Sequence, residues 1–180
     1  AIKLTLAAVI YDNNGVAFSN GNAAVLLDEV RSAMKSLYPS SYDLGHVLGT
    51  GAGGNAYVGA MGETLSDSQG PYKAAGVTLM GAAGTVGNST DLIALLHELG
   101  HQFGATHTFN GTKGGCGTGG RTGETAFETG SGMTIMSLGG ACGATAPAIT
   151  DNIITARSPF FHSGSLAQIV EYIDSFGGTV

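Results

Sequence analysis

Charge is scarce in this chain, and what there is includes no basic cluster. Only 11% of the 180 residues are charged, and seven Lys and Arg face 13 Asp and Glu. Nucleic-acid binding relies on clustered Lys and Arg, so this balance argues against such a partner. Long apolar runs are missing as well: none approaches the roughly 20 residues needed to span a bilayer. No signal peptide is visible, because Ala1 enters a strand-like run at once and no initiator Met precedes it. The chain therefore reads as a mature or excised piece of a longer precursor. Cysteine is limited to Cys116 and Cys142, which fit either one disulfide or two buried thiols. Internal repeats and linkers are absent too. So is the strand–GxxxxGK–helix pattern, which excludes a phosphate loop despite the many glycines.

What is present is a hydrophobic fraction of 43%, which places the chain among globular proteins. A length of 180 residues suits one domain, 1–180, with a proper core. The 31 glycines follow no collagen-like period and gather in stretches such as Gly49 to Gly54 and Gly111 to Gly123. They indicate turns and close approaches in a loop-heavy fold. Ile2 to Tyr11 reads as a buried strand, closed by the turn signal Asp12-Asn13-Asn14-Gly15. From Asn22 to Leu37, Val25, Leu26, Val30, Ala33, Met34 and Leu37 recur at helical spacing, with Asp28, Glu29, Arg31 and Lys35 largely opposite. Strands are expected at Leu44–Leu48, Ala56–Met61 and Gly76–Met80, and a C-terminal helix at Gly164–Phe176.

The most informative stretch runs from His97 to His107. Asn88-Ser89-Thr90 offers capping side chains before the apolar run that ends at Leu96, so a helix starting near Thr90 carries both His97 and His101. Four residues apart, the two imidazoles share one helix face and can hold one small cation, usually zinc. Glu98 points past such a metal rather than at it, and can sit beside a water there. A catalytic zinc needs a third ligand. Gly104 can take positive φ and stop the helix, returning His107 to the site from below.

All six positions of HExxHxxGxxH are present, and the pattern resembles that of the metzincin metalloproteases. Ser131-Gly132-Met133-Thr134-Ile135-Met136-Ser137 is similar to their methionine turn, with Met136 better placed than Met133 as its methionine. Together with Phe127-Glu128-Thr129-Gly130, Tyr42 to Val47 and Phe160-Phe161-His162, this run looks most like bacterial reprolysin-like (adamalysin-related) peptidases, over roughly residues 40 to 170. The resemblance implies an α+β zincin fold. A twisted, mostly parallel sheet and the active-site helix form an α/β/α upper subdomain, about 1–104, above an irregular lower subdomain, about 105–180, that ends in a helix. About four strands are legible where the family usually has five, so one is missed or lies upstream of Ala1. The resemblance further implies a single catalytic zinc on His97, His101 and His107. It implies an endopeptidase that hydrolyses peptide bonds with a zinc-activated water and Glu98 as general base, a Cys116–Cys142 disulfide, and a secreted protein. The expected partners are peptide or protein substrates, and the expected state is a monomer. One departure is Leu138, near where many metzincins place a tyrosine after the methionine.

Other readings of the same residues exist. Thermolysin-like peptidases recruit a distant Glu as third ligand, for which Glu124, Glu128 and Glu171 are available, but Gly104 and His107 speak against it. His46 and His162 read as structural. Asp151 and Asn152 could contribute to a calcium site, though their spacing matches no known loop and a solvated turn is the default. Substrate is expected along Ala56–Met61, with a specificity pocket around Ser137–Gly143 and Ile149–Ile154. A catalytically silent, zinc-containing peptide-binding module and an amidase for non-peptide substrates are the competing functions.

Overall fold

The computed structural model describes residues 4–6, 18–37, 42–81, 87–118, 120–143 and 151–176. Helix α1 (Ala23–Leu37) is followed by strands β1 (Val47–Gly51), β2 (Gly54–Ala56) and β3 (Gly76–Gly81). Helix α2 (Ser89–Gln102), the single turn α3 (Gly115–Thr118) and the last helix α4 (Ser163–Asp174) complete the regular elements. The sheet order is β1-β3-β2. β1 runs parallel to β3 with Val47 opposite Val77, and β2 runs antiparallel to β3 with Asn55 opposite Val77. The arrangement is mixed α+β, as the resemblance implies, although the sheet pairs one strand each way. The strand expected at Ile2–Tyr11 falls mostly outside the described residues.

Two main cores hold these elements together. On one face Leu26, Leu27 and Val30 of α1 close over Ala75, Val77 and Leu79. Each such side chain, fully buried, contributes about 1.5–3 kcal/mol of transfer free energy. The second core joins Met61, Phe103 and Ala105 to Ile135, Met136 and Ile169, and so ties the end of α2 to the segment 131–137 and to α4. A smaller cluster of Phe109, Cys116 and Cys142 surrounds the Cys116–Cys142 disulfide.

Three sequence expectations are corrected here. The strand expected at Ala56–Met61 ends where it was to begin. Beyond Ala56 the amides of Gly59 and Met61 leave the sheet and donate to the carbonyls of His101 and Gln102 at 2.9 and 3.0 Å. Helix termini leave such carbonyls without intrahelical partners, and this segment satisfies two of them. Arg31, expected on the polar side of α1, is 1% exposed. Its guanidinium lies 5.1 and 5.0 Å from the ring centres of Tyr57 and Tyr72 and donates to Asp67 and the Gly70 carbonyl. Those partners come from a distant loop, which helical periodicity cannot see. Along α4, Ile169 is buried, whereas Leu166 and Val170 remain exposed despite their helical spacing.

Candidate metal centre

Helix α2 is what places the site. Asn88 is its N-cap, accepting from the amides of Thr90 and Asp91 at 2.8 and 3.0 Å. The helix ends in a Schellman turn: Gly104 has φ of 88°, its amide bonds to the His101 carbonyl, and Ala105 bonds to that of Gly100. A side chain at Gly104 would also press on Tyr172 of α4, 2.9 Å away. The turn aims the Ala105 carbonyl back at His101 and delivers His107 to the same place.

Three histidines converge there. The Nε2 of His107 lies 3.2 Å from that of His97 and 3.1 Å from that of His101. Their tautomers follow from the opposite nitrogens. Nδ1 of His97, His101 and His107 meets the carbonyls of Ile135, Ala105 and Gly120 at 2.6, 2.8 and 2.8 Å. A carbonyl only accepts, so each Nδ1 carries the proton and each Nε2 is bare. Burial keeps the rings neutral: it drives the His97 pKa far down and that of His101 to about 4, and lowers that of His107. Three neutral imidazoles so placed cannot hydrogen-bond one another, and their lone pairs repel unless a cation stands between them. Tetrahedral zinc at about 2.0–2.1 Å from each nitrogen sets ligand nitrogens about 3.3 Å apart, so the set is compatible with zinc. Among the described residues this is the one group of His, Cys, Asp and Glu with metal-binding spacing, and no carboxylate belongs to it.

Residues 1–146 match the family model described as metallo-peptidase family M12 (Reprolysin_5). The chain belongs to that family. Among curated proteins none matches the chain. Zinc peptidases are thus the frame in which an M12 triad of this geometry is read.

Glu98 is only 7% exposed and, among the described residues, its carboxylate makes no hydrogen bond. Burial raises its pKa to about 7, with Arg157 pulling the other way. A Cβ on Gly54 would stand 2.5 Å from its Oε1, so the glycine at the start of β2 is what lets the carboxylate lie against the sheet edge. Met136 is fully buried beneath the helix, its sulfur occupying the space that a side chain at Gly100 would need. Met133 is 42% exposed.

The other residues singled out in the sequence have structural partners. His46 bonds Gln102 and Thr78 at 2.8 Å each, and burial takes its pKa to about 4. His162 caps α4 through Gly164 and stacks on Phe127. Asp151 accepts from the amides of Thr112 and Lys113, and the Asn152 side chain accepts from that of Cys142, so these oxygens join loops rather than gather as a cation shell. Glu124 and Glu171 are exposed.

Glu128, weighed from sequence only as a distant ligand, instead fastens the methionine turn. It accepts from the amides of Met133 and Thr134 at 2.8 and 3.0 Å and from the hydroxyls of Thr134 and Thr108. Burial raises its pKa, but these bonds outweigh burial and the net direction is down. A carboxylate lowered on folding stabilises above its unfolded pKa, and that contribution fades as pH falls through the folded value. Glu128→Gln is therefore expected to lose about 1–2 kcal/mol near neutral pH, the lower end because the group is half-buried. Urea unfolding with chelator present, followed from neutral pH to about 3, should show the gap to wild type closing. A gap independent of pH would refute the clamp.

Proposed function

We propose that the protein is a zinc-dependent endopeptidase with Glu98 as its general base. One juxtaposition supports this reading: three bare imidazole nitrogens converge at the helix that also carries Glu98, whose buried carboxylate has no hydrogen-bond partner among the described residues and lies directly against the start of β2. Zinc held by His97, His101 and His107 would supply Lewis acidity to the scissile carbonyl and the attacking water. Glu98 takes the proton of that water and returns it to the leaving amine. Its pKa of about 7 suits both transfers. Ile135, Ala105 and Gly120 hold the three imidazoles in one tautomer, so no ring reorients during turnover.

The substrate docks as an added strand on β2. Gly53 and Tyr57 bond inward to Leu79 and Ala75, which leaves the intervening backbone groups of Gly54 and Ala56 facing the free edge. That edge passes Glu98. The disulfide, and the lack among the described residues of any helix long and apolar enough to cross a membrane, agree with export to an oxidising compartment.

Incubating zinc-loaded protein with a mixed peptide library should give internal cleavages that a chelator abolishes and added zinc restores. Peptides bound but left uncut would instead make this a silent binding module. Cleavage that persists in chelator would remove zinc from the mechanism.

A further inference from the structure

Arg157 is the cation of this site, and neither the zinc triad nor Glu98 accounts for it. Its Nη1 donates to the Ile135 carbonyl at 3.3 Å, the oxygen that also receives Nδ1 of His97. One backbone oxygen therefore separates the guanidinium from a metal-directed imidazole. Gly139, lacking a side chain, leaves the space through which the Arg157 stem passes. Beside that stem, residues 152–155 and Gly140 line a recess of about 330 Å³.

Of the described carboxylates, Glu98 acts on this charge, at longer range than an ion pair. Among the described residues the ion pairs all belong to Arg31, and no carboxylate lies within pairing distance of Arg157. A guanidinium has five N–H donors, and the Ile135 carbonyl uses one. Among the described residues Nε and Nη2 have no partner, and the side chain is partly exposed. A planar fork with free donors, partly desolvated and fixed at its base, matches a carboxylate in two-pronged geometry. The chain as a whole is acidic, with a formal charge of −6, so this local positive field is not a general property of its surface.

We propose that Arg157 receives the carboxylate of an acidic substrate residue flanking the scissile bond, and so directs cleavage to sites next to Asp or Glu. The proposal rests on the endopeptidase reading above. It makes Arg157 a specificity residue, whereas a purely structural role would end at the Ile135 carbonyl.

The test uses quenched peptides of one sequence carrying Asp, Asn or Lys on either side of the cleaved bond. For zinc-loaded wild type, kcat/KM is expected to be about tenfold or more higher for Asp than for Asn at one of the two positions. Arg157→Ala should bring that ratio toward one whatever its absolute rate, and Arg157→Glu should favour Lys. Arg157→Lys, which keeps the charge and loses the fork, should retain part of the preference. Titration calorimetry of the Asp and Asn peptides against Glu98→Ala protein, with and without Arg157→Ala, reads the same preference as affinity. If wild type cuts the Asp and Asn peptides equally, or Arg157→Ala slows every peptide by one factor, the assignment is wrong and the endopeptidase reading stands. If zinc-loaded wild type cuts none of the peptides, both fall.

Discussion

Glu98→Ala is expected to lower peptide cleavage by roughly 10²–10⁴-fold, the range that positioned general acid–base catalysis contributes. The zinc content should stay at the wild-type level, since Glu98 lies outside the group of three metal-directed nitrogens. Stability should not suffer either. A buried carboxylate that makes no hydrogen bond among the described residues costs desolvation and returns little to the fold, so its removal leaves the melting temperature equal or higher. Activity and stability moving in opposite directions is the signature of a group kept for chemistry. Rates with a quenched peptide, metal content and thermal unfolding would be measured on one preparation. Near-wild-type cleavage would sink the mechanism, and loss of zinc would mean that Glu98 supports the ligands rather than the reaction.

Removing a ligand should act differently. His101→Ala takes away one of three convergent nitrogens, together with the ring whose Nδ1 bonds the Ala105 carbonyl. Zinc affinity is expected to fall by more than the roughly 10–100-fold that loss of a supporting hydrogen bond alone costs. Because the metal binds the folded chain, its binding free energy adds to stability. Wild type should therefore melt higher with zinc than with chelator, and His101→Ala should show little such difference. His46→Ala is the control. His46 is a buried histidine with two side-chain partners and no place in the triad, so its loss should lower the melting temperature while the zinc-dependent rise persists. A His101→Ala protein that binds zinc as wild type does would show that two imidazoles suffice.

The parts of this site that could be read along the chain are those written in local geometry. His97 and His101 share a face because both lie on one helix, whose capping residue Asn88 and terminating glycine Gly104 are also adjacent in sequence. Met136 could be picked over Met133 on the pattern of its neighbours, and the structure buries the former and exposes the latter. Strand ends were harder. The strand expected to run to Met61 does not, because the amides of Gly59 and Met61 are taken by the end of α2, a competition between elements some 40 residues apart that no window of sequence contains.

By itself, then, the sequence determined the helix, the two histidines upon it and the glycine that turns the chain toward His107, since each depends on spacing within a few residues, while the mixed α+β class came from the family resemblance. Only the tertiary structure decided what surrounds them. Gly54 is one glycine among 31 until β2 is laid against Glu98. Glu128 is one acid among several until the 108–110 segment meets the methionine turn. Arg157 is an isolated basic residue until the 131–140 and 152–157 loops close side by side. The physical reason is the same for all three. Burial, the carbonyl that selects a tautomer and the field that reaches a carboxylate are set by distances in space, and the residues that set them are dozens of positions apart in the chain.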